Sequence, residues 1–398
     1  MSKDNLMNTY GRFDVVFDKG IGTKLYDING KEYLDFVSGV AVNCLGHSHP
    51  TIVNAITEQS KKLIHISNYY WNTEHTILAE KLINNCDHNK VFFCNSGTEA
   101  VEGALKLARK YGKLKGNAEK NIILYMDNSF HGRTLGALSV TGQEKYQKDF
   151  TPLIPGFIKV NFNDINDLKN NFSRNVCAII IEPIQGEGGI NPASIEFLEE
   201  ARRLCDAHDA ILIFDEIQCG IGRLGTLFAY KKFGVTPDVI CIAKALGGGF
   251  PIGAFIANEK ASVGLAPGDH GSTYGGNPLG CAISNAILDE LITNKLIAQI
   301  DEKSRYLQER LDTLKEKYGV ILEIRGMGLL IGIQIKGNIK EFINNCFNKG
   351  LLVVSAGTDV VRLLPPLNVT KDEIDMAIAI LEEVMKEQEV VMTWKLKS

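Results

Sequence analysis

No stretch of this 398-residue chain is apolar and long enough to span a bilayer, and the opening MSKDNLMNTYGRFDVVFDKG lacks the apolar core of a secretory leader. Cytoplasm is therefore the expected location. An excess of positive charge is also missing. With 43 Lys and Arg against 47 Asp and Glu, the net charge of −4 gives no electrostatic case for nucleic acid or an anionic membrane. The nine cysteines contain no Cys-x-x-Cys pair and sit mostly inside apolar runs or predicted helices, as small buried hydrophobes of a reducing compartment do. His47 and His49 have no third ligand near them in sequence, so they read better as a turn than as a metal site. Internal repeats, coiled-coil heptads and low-complexity segments are absent. What is present is enough chain for a large core, in two domains or one large domain with a satellite.

The chain is organised around Ile211–Gly253. Ala210-Ile211-Leu212-Ile213-Phe214 is a continuous apolar run closed by Asp215, and Val239-Ile240-Cys241-Ile242-Ala243 is closed in the same way by Lys244. Such runs read as buried parallel strands, and their carboxyl ends are where ligands sit in an open α/β sheet. A lysine in a partly dry site loses ammonium solvation, its pKa falls, and it can condense with a carbonyl group. An aspartate beside it can keep a pyridinium nitrogen protonated. A structural ion pair fits the two residues equally well, until the glycine-rich turn Gly247-Gly248-Gly249 brings the backbone close to the lysine.

Short strands are expected around Val15–Phe17, Thr23–Asp27 and Tyr33–Phe36, in an arm too short to fold alone that should join the C-terminal lobe. Helical spacing covers 51–64, with Ile52, Ala55 and Ile56 on one face, and 74–85, with Leu78, Leu82 and Ile83 on one face. The aromatic loop between them, Ser67–Trp71, fits a substrate entrance or a subunit contact. Strand, turn and helix then alternate as a doubly wound sheet requires. Ser96-Gly97-Thr98 opens the helix after strand 91–94, where free N–H groups suit a phosphate, although an ordinary Ser N-cap fits too. Strand 121–126 leads to Phe130-His131-Gly132-Arg133, in which an aromatic ring can stack on a flat cofactor and a guanidinium can grip a carboxylate. Strand 176–181 leads to Glu182–Gly189, and helix 194–208 follows. Residues 278–317 read as one long helix. The remainder, with strands at 320–335 and 351–354 and helices at 338–348 and 371–388, looks like a separate α+β lobe containing Arg362.

Six blocks taken together carry a family resemblance over essentially the whole chain: FFCNSGTEAVEGALKLARK (92–110), FHGRT (130–134), IEPIQGEGG (181–189), FDEIQCGIGRLG (214–225), AKALGGGFPIGA (243–254) and GSTYGGNPLG (271–280). In this order they resemble the class III, fold type I, pyridoxal 5'-phosphate (PLP) aminotransferases. The resemblance implies an α/β fold with a large PLP-binding domain over 51–290, built on a mostly parallel doubly wound sheet. A smaller α+β domain would combine the arm 1–50 with 291–398. It implies that Lys244 binds the cofactor and moves the proton, that Asp215 pairs with the ring nitrogen and that Gln218 reaches the ring hydroxyl. Phe130 would stack on the ring, and Gly97 and Thr98 would bind the phosphate. Thr273 resembles a residue lent to the phosphate by a neighbouring subunit, which implies a homodimer. Arg133 and Ser272 resemble contacts to the substrate's α-carboxylate side. Glu187 and Arg362 resemble a switch pair that masks the arginine for the amine donor and releases it for 2-oxoglutarate.

Within the family, the chain is most similar to members that move the terminal amino group of N2-acetyl-L-ornithine to 2-oxoglutarate, a step of arginine biosynthesis. Members acting on ornithine tend to carry a tyrosine where Val40 stands here, and its absence removes a partner for a free α-ammonium. Succinylornithine, N-succinyl-diaminopimelate and 4-aminobutyrate remain alternative donors. A dinucleotide-binding oxidoreductase is a further alternative, against which stands the lack of Gly-x-Gly-x-x-Gly spacing at a first βα unit.

Overall fold

Three N-terminal strands, β1 (Phe17–Ile21), β2 (Lys24–Asp27) and β3 (Glu32–Asp35), form an antiparallel meander in the computed structural model, which describes residues 5–114 and 118–395. The β2–β3 turn forms because Asp27 Oδ1 accepts the N–H groups of Asn29 and Lys31 while Gly30 takes φ +84°. β1 starts at Phe17, so Val15 and Val16 fall outside the strand expected there.

The next strands are β4 (Lys90–Cys94), β5 (Ile122–Met126), β6 (Phe157–Val160) and β7 (Val176–Ile181). A two-residue ribbon follows, β8 (Ile184–Gln185) with β9 (Asn191–Pro192), and then β10 (Ile211–Asp215), β11 (Val239–Ile242) and β12 (Gly253–Ala257). Apart from the ribbon, these strands make a seven-stranded sheet in the order β4-β12-β11-β10-β7-β5-β6. Every neighbouring pair is parallel except those of β12, which runs antiparallel to both β11 and β4. β7, β10 and β11 are buried along their whole length, the environment their unbroken apolar runs require. Asp215 pairs in register with Cys241, so β10 and β11 end side by side.

Helices cover the sheet. Gly97–Leu114 buries Ala100, Val101, Ala104, Leu105 and Ala108, a spacing of three and four that makes one apolar face. Ile195–Ala207 starts where Ser194 Oγ accepts the Phe197 N–H at 3.2 Å. Helix Pro50–Ser60 buries Ile52, but Ile56, expected on the same face, is 38% exposed.

The long helix expected over 278–317 is broken. Pro278–Leu288 packs on helices Pro50–Ser60 and Thr73–Ile83; a π-turn follows at Asp289–Thr293, and Lys295 turns left-handed at φ +58°. Helix Ile300–Lys317 then packs on the last helix, Lys371–Lys395, and on β13 (Ile321–Met327). One straight rod could not serve both sets of partners.

β14 (Leu330–Ile335) follows β13, and the segment 351–354, expected as one strand, divides between two sheets. β15 (Leu351–Leu352) pairs in parallel with β3, while β16 (Val354–Ala356) pairs with β17 (Val360–Leu363) in the sheet β13-β14-β17-β16. The N-terminal meander is thereby tied to the C-terminal region. No helix among the described residues is long and apolar enough to cross a membrane.

Candidate active site

A cavity of about 390 Å³ opens at the carboxyl edge of β10 and β11, within the size range of cofactor and small-molecule sites. Lys244 and Asp215 both line it, 29 positions (244 − 215) apart in sequence and brought together by the parallel register of their strands. Lys244 itself adopts φ +46°, a left-handed conformation that ordinary side chains avoid and that is typical of strained functional positions. Burial lowers its ammonium pKa, the Arg362 charge lowers it further, and the group ends near 8 despite Glu187, Asp215 and Glu182 pulling the other way. The turn behind the lysine needs glycine: a Cβ at Gly247 would lie 2.0 Å from the Phe250 carbonyl oxygen, and Gly249 takes φ +118°.

Asp215 is 4% exposed, its Oδ1 accepts the Ile217 N–H at 3.0 Å, and its Oδ2 lies 2.7 Å from His131 Nδ1. His131 is the residue that sequence reasoning passed over. It was visible in the Phe130–Arg133 block, and the signal was that a buried strand-end carboxylate must have a hydrogen-bonding partner. Glu182, at the end of β7, is a second missed group. It accepts the Phe130 N–H at 2.9 Å and the Gly186 N–H at 3.2 Å, and so fixes where Phe130 points. Burial pushes the Glu182 carboxyl up to about 7; His131 opposes that shift and Asp215 adds to it.

Phe130 lines the cavity beside Arg133, whose guanidinium carbon is 5.4 Å from the Phe130 ring centre and 4.0 Å from that of Tyr146. Gly97 and Thr98 also line the cavity, at the start of helix Gly97–Leu114, where the first N–H groups have no carbonyl within the helix. Thr98 Oγ1 is 2.9 Å from Thr134 Oγ1, and Thr134 in turn donates to Glu102 Oε1 at 2.5 Å. Glu102 also takes the Gly136 and Ala137 N–H groups, which locks the 134–137 loop against the helix start.

Arg362 reaches the site from β17. Its Nη1 donates to Glu187 Oε1 at 2.7 Å and to Gln218 Oε1 at 3.0 Å, and the residue is 3% exposed. Glu187 sits in the loop between β8 and β9; burial raises its carboxyl, and the Arg362 charge and hydrogen bond more than reverse that, leaving it below the ordinary value. Arg362 and Glu187 are 175 positions apart in sequence.

Ser272 and Thr273 do not line this cavity. They border a second one of about 1120 Å³, together with Asn68, Tyr69 and Trp71 of the exposed aromatic loop. Ser272 Oγ accepts the Gly275 N–H at 2.9 Å and lies 3.2 Å from Asn95 Nδ2, and Asn95 does line the first cavity. His47 Nε2 is 2.8 Å from Asp35 Oδ2, and among the described residues no group of three or more His, Cys, Asp or Glu is placed to hold a metal ion.

These features fit a phosphorylated aromatic ring: N–H donors and a hydroxyl at a helix start, a phenyl ring, a buried carboxylate and an amine all line one cavity. The glycine turn after Lys244 leads into antiparallel β12, not into a helix, so the dinucleotide-binding alternative loses its structural basis. The acetylornithine aminotransferase of Clostridium acetobutylicum is 61% identical over 387 residues, 97% of this chain and 100% of that one. The N-acetylornithine aminotransferase structure from Stenotrophomonas maltophilia superposes with a TM-score of 0.85 at 36% identity, covering 96% of this chain and 98% of the other. An ornithine aminotransferase of Toxoplasma gondii, whose structure reveals partial occupancy of PLP at the active site, superposes at 0.92 with 32% identity over 96% of this chain and 92% of its own. The family model for class-III aminotransferases matches residues 6–385, and with those relatives it establishes that the chain belongs to the class-III aminotransferases, which are PLP-dependent enzymes.

Proposed function

We propose that this enzyme transfers the terminal amino group of N2-acetyl-L-ornithine to 2-oxoglutarate, giving N-acetyl-L-glutamate 5-semialdehyde and L-glutamate. The observation that carries the reading is the meeting of Lys244 and Asp215 at one cavity, with Arg362 bonded just behind it to the lining residues Glu187 and Gln218, in a chain alike from end to end to acetylornithine aminotransferases. PLP supplies, when bound, an aldehyde for the amine and an electron-poor ring that takes up charge from the amine-bearing carbon.

The chain's own residues do the rest. Lys244 Nζ would hold the cofactor through its aldehyde and, once free, would be the base that moves the proton at the amine-bearing carbon. Asp215, braced by His131, keeps a proton on the ring nitrogen. Phe130 packs on the ring, and Gly97 and Thr98 donate to the phosphate. Gln218 gives its Oε1 to Arg362, which leaves its Nε2 to donate to the ring hydroxyl. Arg133 and Ser272 serve the α-carboxylate side. Thr273, which lies outside this cavity, would reach the phosphate from a second copy, which makes the working unit a homodimer, with the 67–71 aromatics serving as a substrate entrance or a subunit contact. Residues 51–290 form the cofactor domain, with 1–50 and 291–398 as the smaller one, in a cytoplasmic enzyme.

The visible spectrum tests the donor. Purified protein should show the yellow absorbance of bound PLP, and N-acetylornithine should bleach it far more completely than ornithine or 4-aminobutyrate. Equal bleaching by either of those amines would remove the donor assignment, and a colourless protein that takes up no PLP would remove the whole reading. A second expectation concerns pH. Only the neutral amine of Lys244 condenses with an aldehyde, so PLP uptake by the apoenzyme should accelerate about ten-fold per unit below pH 8 and level off above it. An uptake rate that is flat from pH 6 to 9 would contradict a lysine titrating near 8.

A further inference from the structure

Between β3 and the helix at Pro50 the backbone makes a left-handed turn: Ser38, Gly39, Val40 and Ala41 have φ of +52°, +63°, +65° and +61°. Three of those four residues carry a Cβ, and Val40 is β-branched, so the turn is unfavourable by itself and persists only where its surroundings dictate it. Packing supplies part of that support, since Ser38 and Ala41 are buried and Val40 packs against the core, although Gly39 and Asn43 border a separate cavity of about 540 Å³. Hydrogen bonds supply the rest. At the entrance, Asp35 Oδ1 accepts the N–H groups of Val37 and Ser38, each at 2.9 Å, and Asp35 Oδ2 meets His47. At the exit, the Val42 and Asn43 N–H groups return to the Ser38 carbonyl at 2.7 and 2.8 Å.

The same segment is stitched to the chain just beyond Arg362. Leu364 N–H donates to the Phe36 carbonyl at 2.7 Å, and the fully buried Ser38 hydroxyl donates to the Leu364 carbonyl at 2.7 Å. Leu367 N–H donates to the Cys44 carbonyl at 2.7 Å, and Asn368 Nδ2 to the Leu45 carbonyl at 2.8 Å. Val42, at the end of the turn, lines the active-site cavity, while Leu364 is two residues from the guanidinium that would clamp the second substrate. Of these links only the Ser38 hydroxyl comes from a side chain within the left-handed turn itself.

We propose that Ser38 is a positioning residue: its hydroxyl sets the wall of the donor pocket and the placement of Arg362 together, as one unit. The proposal rests on the aminotransferase reading given above. Two variants separate the hydroxyl from the strain, since Ser38→Ala and Ser38→Gly both lose the bond but glycine is at ease at φ +52°. In both variants the KM for the amino donor and the KM for 2-oxoglutarate should rise together, by about ten-fold, with kcat within about two-fold and the absorbance of bound PLP unchanged. Without any substrate, amide hydrogen exchange should quicken in both 36–45 and 362–368. Ser38→Gly with unaltered KM values would overturn the proposal, as would faster exchange in one segment alone. Should Ser38→Ala fail to fold, the glycine variant decides the matter. A wild-type enzyme that prefers a different donor would overturn the substrate assignment and leave this test intact, because KM is then measured with that donor.

Discussion

Replacing Lys244 by alanine is expected to cut amino transfer by at least about 10⁴-fold while PLP still enters the site, held loosely and released on dialysis. The size follows from the two tasks that one amine performs. In the proposed reaction it would form the covalent link to the cofactor and be the base that moves a proton at the amine-bearing carbon; among the described residues no other group lining the cavity is an amine, and the nearby carboxylates Glu187 and Asp215 are already engaged by Arg362 and His131. The noncovalent cradle does not depend on the lysine. The helix start at Gly97, the Thr98–Thr134–Glu102 chain and the Glu182 hold on Phe130 remain in the variant, which is why binding weakens without vanishing. Single-turnover mixing with N-acetylornithine, alongside a PLP titration followed by absorbance, measures both effects. A variant that turns over within ten-fold of wild type would show that the proton is handled elsewhere.

The parts of this molecule that were legible in the sequence are those where a local pattern has one structural meaning. Ile211–Phe214 and Val239–Ala243 are unbroken apolar runs, and only a strand buried on both faces accommodates them. Their terminal Asp215 and Lys244 then follow at one edge from parallel pairing. The left-handed turn at 38–41 left no comparable trace, because Ser, Val and Ala do not announce a positive φ and Gly39 alone is an ordinary loop glycine. β12 was missed for a related reason: Gly253–Ala257 is short and follows a glycine turn, and only its two flanking partners make it a strand. The break in 278–317 arises from two packing surfaces that the helical period does not record. Arg362 and Glu187 show the limit most plainly. Nothing in the residues around either one points to the other across 175 positions, and the family resemblance, not periodicity, supplied the pair.

That pair yields the second large effect. Arg362→Ala should slow the half-reaction with 2-oxoglutarate by about 10²–10³-fold and the half-reaction with N-acetylornithine by less than about ten-fold. On the proposed switch the arginine stays with Glu187 and Gln218 during the donor half-reaction, so its loss removes a group that the donor would not use. In the other half-reaction the incoming keto acid carries a second carboxylate, for which a planar guanidinium in a nearly dry site is the matching donor. The variant is not a clean deletion, since Glu187 loses the charge that holds its carboxyl down and its pKa must rise. Glu187→Gln separates the two contributions. It keeps Arg362 but removes the opposing charge, so 2-oxoglutarate should react at least as fast as with wild type while the donor step suffers from an unmasked cation beside an uncharged acyl end. Rapid mixing of each substrate with the matching cofactor form reads the half-reactions independently. Equal losses in both for Arg362→Ala would mean that the arginine holds the loop between β8 and β9 in place and does not choose between substrates.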